Sequence, residues 1–174
     1  MGSGITVPAA LNGNKIRIVG TPLDREIIKH ARATGEHLTL KRRLPDGIEF
    51  FQIEELESAL EGADLAVCGV SSFGLDWFLD CALPRLPDGL PVLSITKGMI
   101  HLGGGSMVSY PEIMEKRAEK IGKKIDFNAV GGPCTSYELV DRDSTKVTFC
   151  GRKIEQLRWI KSLFETDFYH ISLS

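Results

Sequence analysis

Short apolar runs alternate along this chain with stretches whose apolar residues recur every three or four positions. Residues 15–20 (KIRIVG) alternate polar and apolar side chains, the period of a half-buried strand. Residues 63–70 (ADLAVCGV) and 91–96 (PVLSIT) are nearly continuous apolar runs, which fit strands buried on both faces of a parallel sheet. Residues 124–130, 146–150 and 168–173 complete the predicted strands. Between these, the pattern predicts helices over 2–11, 24–33, 53–60, 75–81, 111–121 and 153–164. Turn residues punctuate the series at Asn12-Gly13-Asn14, Thr34-Gly35 and Pro45-Asp46-Gly47, and Ser71-Ser72 is placed to cap the helix that follows. The stretch 36–51 reads as irregular. Strands alternating with helices predict an α/β fold with a Rossmann-like, doubly wound, mainly parallel sheet. Neither a linker nor a repeat interrupts the pattern, so one domain fills residues 1–174.

Composition narrows the function classes. Of the 174 residues 43 % are hydrophobic and 25 % charged, an ordinary globular balance. Lys and Arg number 21 against 23 Asp and Glu, a net charge of -2 that offers no basic surface for nucleic acid or membrane. No apolar run is long enough to span a bilayer, and the expected setting is cytoplasmic. Cys68, Cys81, Cys134 and Cys150 lack any Cys-x-x-Cys spacing and read as reduced thiols. His30, His37, His101 and His170 are scattered, so no metal site is expected.

A dinucleotide-binding fold opens with a strand, then G-x-G-x-x-G, a helix, and a second strand whose end meets the adenosine ribose. Residues 2–20 have the span of that helix and second strand, with Gly2 as the surviving glycine of the phosphate loop. The first strand and the first two glycines are absent. That strand normally lies in the middle of the sheet, so its neighbours are expected to lose main-chain partners.

Three further segments carry a resemblance. Val70-Ser71-Ser72-Phe73 follows a buried strand. Ile95-Thr96-Lys97-Gly98-Met99 follows the next. Gly131-Gly132-Pro133-Cys134-Thr135-Ser136-Tyr137-Glu138 comes third, trailed by Ser144-Thr145-Lys146-Val147. In this order and at these intervals the chain resembles the cofactor-binding half of the NAD(P)-dependent glycerol-3-phosphate dehydrogenase family, truncated at both ends.

The resemblance implies an oxidoreductase interconverting sn-glycerol 3-phosphate and dihydroxyacetone phosphate with NAD or NADP. It implies that Lys97 is catalytic and touches both substrate and cofactor, and that Gly132 and Cys134 line the substrate pocket. Gly2, Thr21, Ser72, Phe73 and Ser136 would meet the cofactor. Cys134 stands where the family more often has serine or threonine, and a thiol is a weak hydrogen-bond donor. Glu138 reads as an ion-paired structural residue rather than a catalytic acid. The end of the second strand, Val19-Gly20-Thr21, carries neither the acid of NAD sites nor the arginine of NADP sites. Arg25 and the run Lys41-Arg42-Arg43 are the nearest basic residues, and the choice of cofactor stays open. The family's proton-transfer lysine lies in a helical C-terminal domain, so the isolated chain is expected to be inactive. The full-length relative leaves room for a homodimer. The alternatives are a fragment of a 6-phosphogluconate or 2-hydroxyacid-type dehydrogenase, or a non-catalytic dinucleotide-binding module.

Overall fold

A computed structural model describes residues 1–101, 105 and 107–174. Seven helices lie among the described residues: α1 (Thr6–Leu11), α2 (Arg25–Thr34), α3 (Leu56–Leu60), α4 (Leu75–Trp77), α5 (Tyr110–Lys120), α6 (Ser136–Asp141) and α7 (Ile154–Phe164). Eleven strands accompany them: β1 (Arg17–Val19), β2 (Glu36–His37), β3 (Arg42–Arg43), β4 (Glu49–Phe51), β5 (Ala66–Cys68), β6 (Val92–Ser94), β7 (Met99–His101), β8 (Met107–Ser109), β9 (Phe127–Gly131), β10 (Thr145–Cys150) and β11 (Tyr169–Leu173).

The main sheet has five strands in the order β11-β10-β9-β6-β5. β5, β6 and β9 run parallel, as do β10 and β11, while β10 is antiparallel to β9. The sheet is therefore mixed but mostly parallel, as expected. Its two faces are covered by different helices. On β6, Leu93 joins a cluster with Ile5, Val7 and Ala9 beside α1, Leu139 of α6, and Leu157 and Ile160 of α7. Val92 points the other way, to Leu56 of α3, Phe78, and Met114 and Ala118 of α5. Alternation along a strand sends successive side chains to opposite faces, so a continuous apolar run has a core on each side. This is the doubly wound arrangement.

One expectation needs correction. Residues 15–20, 64–69 and 92–96 were expected in a single sheet, but β1 pairs only with β4, in a separate two-stranded parallel sheet. Ile16, Ile18, Ile48 and Phe50 still pack on the first cluster and Val19 on the second, so both pieces share the cores without sharing a ladder. β5 ends the five-stranded sheet, and β1 has a ladder partner on one side. Main-chain bonds commit Ala66 and Cys68 to β6 and Ile16 and Gly20 to β4, turning Val67 and Val19 away from both ladders. Val67, mid-strand in a buried-looking run, is 36 % exposed.

Other differences are local. β4 lies inside the stretch read as irregular, because a three-residue strand with one polar position carries almost no periodic signal. The β7–β8 hairpin and α6 were also not anticipated. Ser71 does occupy the cap position of the turn before α4, but its side chain makes no capping bond. Among the described residues no helix is long and apolar enough to cross a membrane. Nor do three His, Cys, Asp or Glu side chains among them cluster as metal ligands would.

Candidate functional site

Ser72, Lys97 and Gly132 each follow the carboxyl end of one of three parallel neighbours, β5, β6 and β9. In an open α/β sheet this edge is where ligands bind. Hydrogen bonds tie the three loops together. Thr96 donates its hydroxyl to the Val70 carbonyl at 2.7 Å, joining the β6 loop to the β5 loop. The Lys97 ammonium donates to the Gly132 carbonyl, joining the β6 loop to the β9 loop. Gly132 has φ +98, a backbone conformation that side chains other than glycine's rarely adopt, so the carbonyl's position depends on glycine there.

Past Gly132 the chain enters α6 through a capping box. Thr135 accepts from the Glu138 amide at 3.3 Å, and the Glu138 carboxylate accepts from the Thr135 amide at 2.5 Å. Glu138 is thus not the ion-paired residue expected: among the described residues it is in no ion pair, and its charge serves the helix start. The signature Thr-x-x-Glu was present in the sequence and would have located α6.

Cys134 lies between these features, half-buried, with Thr135's carbonyl 3.7 Å from its sulfur. Burial and the charge of Glu138 raise its thiol pKa, with Lys97 pulling the other way. A thiol held protonated is a poor nucleophile. Thr145 reaches the same loop by donating to the Pro133 carbonyl at 3.4 Å.

Two glycine approaches close this edge. A Cβ on Gly69 would lie 2.6 Å from the Gly2 Cα, and one on Gly4 would lie 2.9 Å from the Ser136 Cα. The turn before α1 is thereby packed main chain to main chain against the end of β5 and the start of α6. That brings Gly2 and Ser136 to the edge that also holds Ser72 and Lys97. Bare backbone at this place suits a pyrophosphate, which is held by main-chain N–H groups rather than side chains. Phe73 projects from the β5 loop with 97 % of its surface exposed. Thr21 sits at the end of β1, its hydroxyl donating to Asp24 at 2.6 Å and its amide to the same oxygen at 2.9 Å. Its strand belongs to the two-stranded sheet with β4, separate from the five-stranded sheet that carries the other site loops.

The match to known proteins follows this geometry. The family model for the NAD-dependent glycerol-3-phosphate dehydrogenase N-terminus matches residues 2–156. The chain is 34 % identical over 174 residues to the NADP(+)-dependent glycerol-3-phosphate dehydrogenase of Archaeoglobus fulgidus, covering 100 % of this chain and 50 % of the relative. It is 25 % identical to the glycerol-3-phosphate dehydrogenase [NAD(P)+] of Bacillus velezensis, covering 98 % of this chain and 48 % of that one. The chain thus spans about half the length of these relatives. In fold it resembles the Plasmodium falciparum glycerol-3-phosphate dehydrogenase, with a TM-score of 0.84 at 18 % identity over 99 % of this chain and 49 % of that one. The Coxiella burnetii enzyme gives 0.81 at 16 % identity over 100 % and 51 %. Neither a 6-phosphogluconate nor a 2-hydroxyacid enzyme is needed to account for the motifs. The chain belongs to the NAD-dependent glycerol-3-phosphate dehydrogenase family, as its N-terminal, cofactor-binding domain.

Proposed function

We propose that this domain holds NAD or NADP at the carboxyl edge of its sheet and serves the interconversion of sn-glycerol 3-phosphate and dihydroxyacetone phosphate. The observation that carries the reading is the bridge from Lys97 to the Gly132 carbonyl between two parallel strand ends. A nicotinamide dinucleotide held here would supply the hydride chemistry. The chain's own residues bind and orient. Lys97, a compact cation with three rotatable donors, keeps one on Gly132 and offers the others to a substrate oxygen. Gly132 and Cys134 border the substrate, while Gly2, Ser72, Phe73 and Ser136 border the cofactor. Thr21 meets it from the β1 side.

Moving the hydroxyl proton requires a general acid or base. Among the described residues at this edge, Lys97 gives one donor to a carbonyl, Cys134 is held protonated, and Glu138 caps α6. On this reading the domain binds the dinucleotide, and the proton-transfer group lies outside these residues. The test is to titrate the purified chain with NAD and NADP by calorimetry, then add glycerol 3-phosphate and follow nicotinamide absorbance. Binding without turnover is expected. Failure to bind either dinucleotide at millimolar concentration would sink the reading, and robust turnover would require a base among these residues.

A further inference from the structure

We propose that Tyr169 is a positioning residue of the substrate pocket, its buried hydroxyl donating to the Cys134 sulfur so that the thiol can serve a substrate oxygen. The inference rests on the dehydrogenase reading above and adds a residue behind the pocket wall. Tyr169 opens β11 and is fully buried. Its ring packs edge-on to Phe149, with centroids 6.4 Å apart. That packing accounts for the ring. It does not account for the hydroxyl, which has no hydrogen-bond partner among the described residues. A phenolic O–H buried without a partner is destabilising, and phenylalanine would fill the same place without that cost.

Sheet register sets what the hydroxyl faces. Tyr169 lies beside Thr145 in the parallel pair of β10 and β11. Residues side by side in a sheet send their side chains to the same face. Thr145 donates to the Pro133 carbonyl at 3.4 Å, so that face is the one beneath the loop of residues 132–135. Cys134 packs on the core cluster that contains Tyr169. Among the described residues, it is the ionisable group whose charge bears on the Tyr169 hydroxyl. Cys134 is itself loosely held. Its sulfur lies 3.7 Å from the carbonyl of its own neighbour Thr135, a weak contact that a change of rotamer gives up at small cost.

The two groups complement each other chemically. A thiol is a weak donor, and here it stands where the resemblance expects a hydroxyl. Hydrogen bonds in a chain strengthen one another. A hydroxyl donating to the sulfur draws electron density from it and leaves the S–H a better donor to a substrate oxygen. The same bond satisfies Tyr169. Glu138, Lys97, Thr145 and the Met1 amino group also act on Cys134, from α6, the β6 loop, β10 and the turn before α1. Burial holds the Tyr169 hydroxyl well above its ordinary range, so it stays a donor while a thiol titrates.

The test is iodoacetamide alkylation of the 174-residue chain and its Tyr169→Phe variant from about pH 7 to 11, read at Cys134 by mass spectrometry, with thermal melts of both. A hydrogen bond accepted by the sulfur favours the thiolate, so losing the hydroxyl should raise the Cys134 midpoint by at least about half a unit. The exposed Cys81 should alkylate alike in both chains. Tyr169→Phe should melt no lower than wild type. An unmoved Cys134 midpoint would overturn the inference. So would a variant that melts well below wild type or fails to fold, because the hydroxyl would then already be paired in the core. In a full-length dehydrogenase carrying this domain, Tyr169→Phe should raise KM for glycerol 3-phosphate at least about threefold with kcat little changed, part of the worth of one hydrogen bond. The rise should be much smaller in a Cys134→Ser background, where a hydroxyl donates without help. Equal rises in the two backgrounds would overturn the inference while leaving the dehydrogenase reading intact. A shifted Cys134 midpoint in a full-length enzyme that does not turn over glycerol 3-phosphate would overturn the dehydrogenase reading instead.

Discussion

At the scale of single residues, the site's chemistry depends on what each group is tied to. Lys97 is drawn into place by one carbonyl, on an exposed loop that contributes little to the core. Lys97→Ala should leave the fold intact and, in a full-length dehydrogenase carrying this domain, lower kcat/KM for glycerol 3-phosphate at least tenfold, on the order of 1.4 kcal/mol. Unchanged kinetics would make Lys97 a surface residue. Cys68 shows the opposite situation. Burial beneath the β5 loop pushes its thiol from 9.0 up to about 11, with a weak contact to Thr96 at 4.0 Å opposing the shift. A thiol whose folded pKa lies above the unfolded one contributes fully below pH 9 and loses that contribution as the pH climbs toward 11. The loss approaches about 2 to 3 kcal/mol, from two pKa units at 1.36 kcal/mol each. Urea midpoints should fall more steeply between pH 9 and 11 for wild type than for Cys68→Ala, and parallel curves would show that Cys68 does not titrate in this way.

At the scale of elements, local chemistry explains which were legible. α2 closes at Gly35, a left-handed residue bonded back to the Ala31 carbonyl, and α5 opens on Ser109 and Glu112 with Pro at its start. Both helices lie close to where the pattern put them. α6 has six residues and one buried side chain, too few for a periodic signal, and its capping box holds it. Thr135→Ala removes that cap and should cost about 1 kcal/mol. Because Thr135 adjoins Cys134, the same change should weaken substrate binding, measured as a rise in KM for the full-length enzyme. Stability and KM both unchanged would mean that tertiary packing alone fixes the α6 start. Short edge pieces such as β2, β3 and the β7–β8 hairpin exist only because a partner strand meets them.

At the scale of the molecule, two apolar clusters hold one mostly parallel sheet and a detached pair of strands against each other. Strands joined by side-chain packing but not by a ladder should open more readily there than elsewhere. The amides of Val19 and Val67, turned toward the open edges, should exchange with solvent roughly a hundredfold faster than those of Val147 and Phe149 in β10, which has neighbours on both sides. Protection of Val67 equal to that of Phe149 would mean that another segment covers the edge.

The sequence by itself determined the fold class, the order of the main strands and helices, and the membership of the family. Those follow from periodicity and from motif order, which are properties of neighbouring residues. It also put Ser72, Lys97 and Gly132 after strands that share one edge. Tertiary structure decided what each group does there. Lys97 could have pointed to solvent until the Gly132 carbonyl met it 35 residues along the chain. Glu138 could have joined an ion pair until the backbone of Thr135 claimed it. Gly20 became a position closed to any side chain only when Ile28 packed on it from α2. The division of the sheet depends on the number of strands meeting in space, and no local pattern in β1 or β5 records whether a neighbour stands beside it.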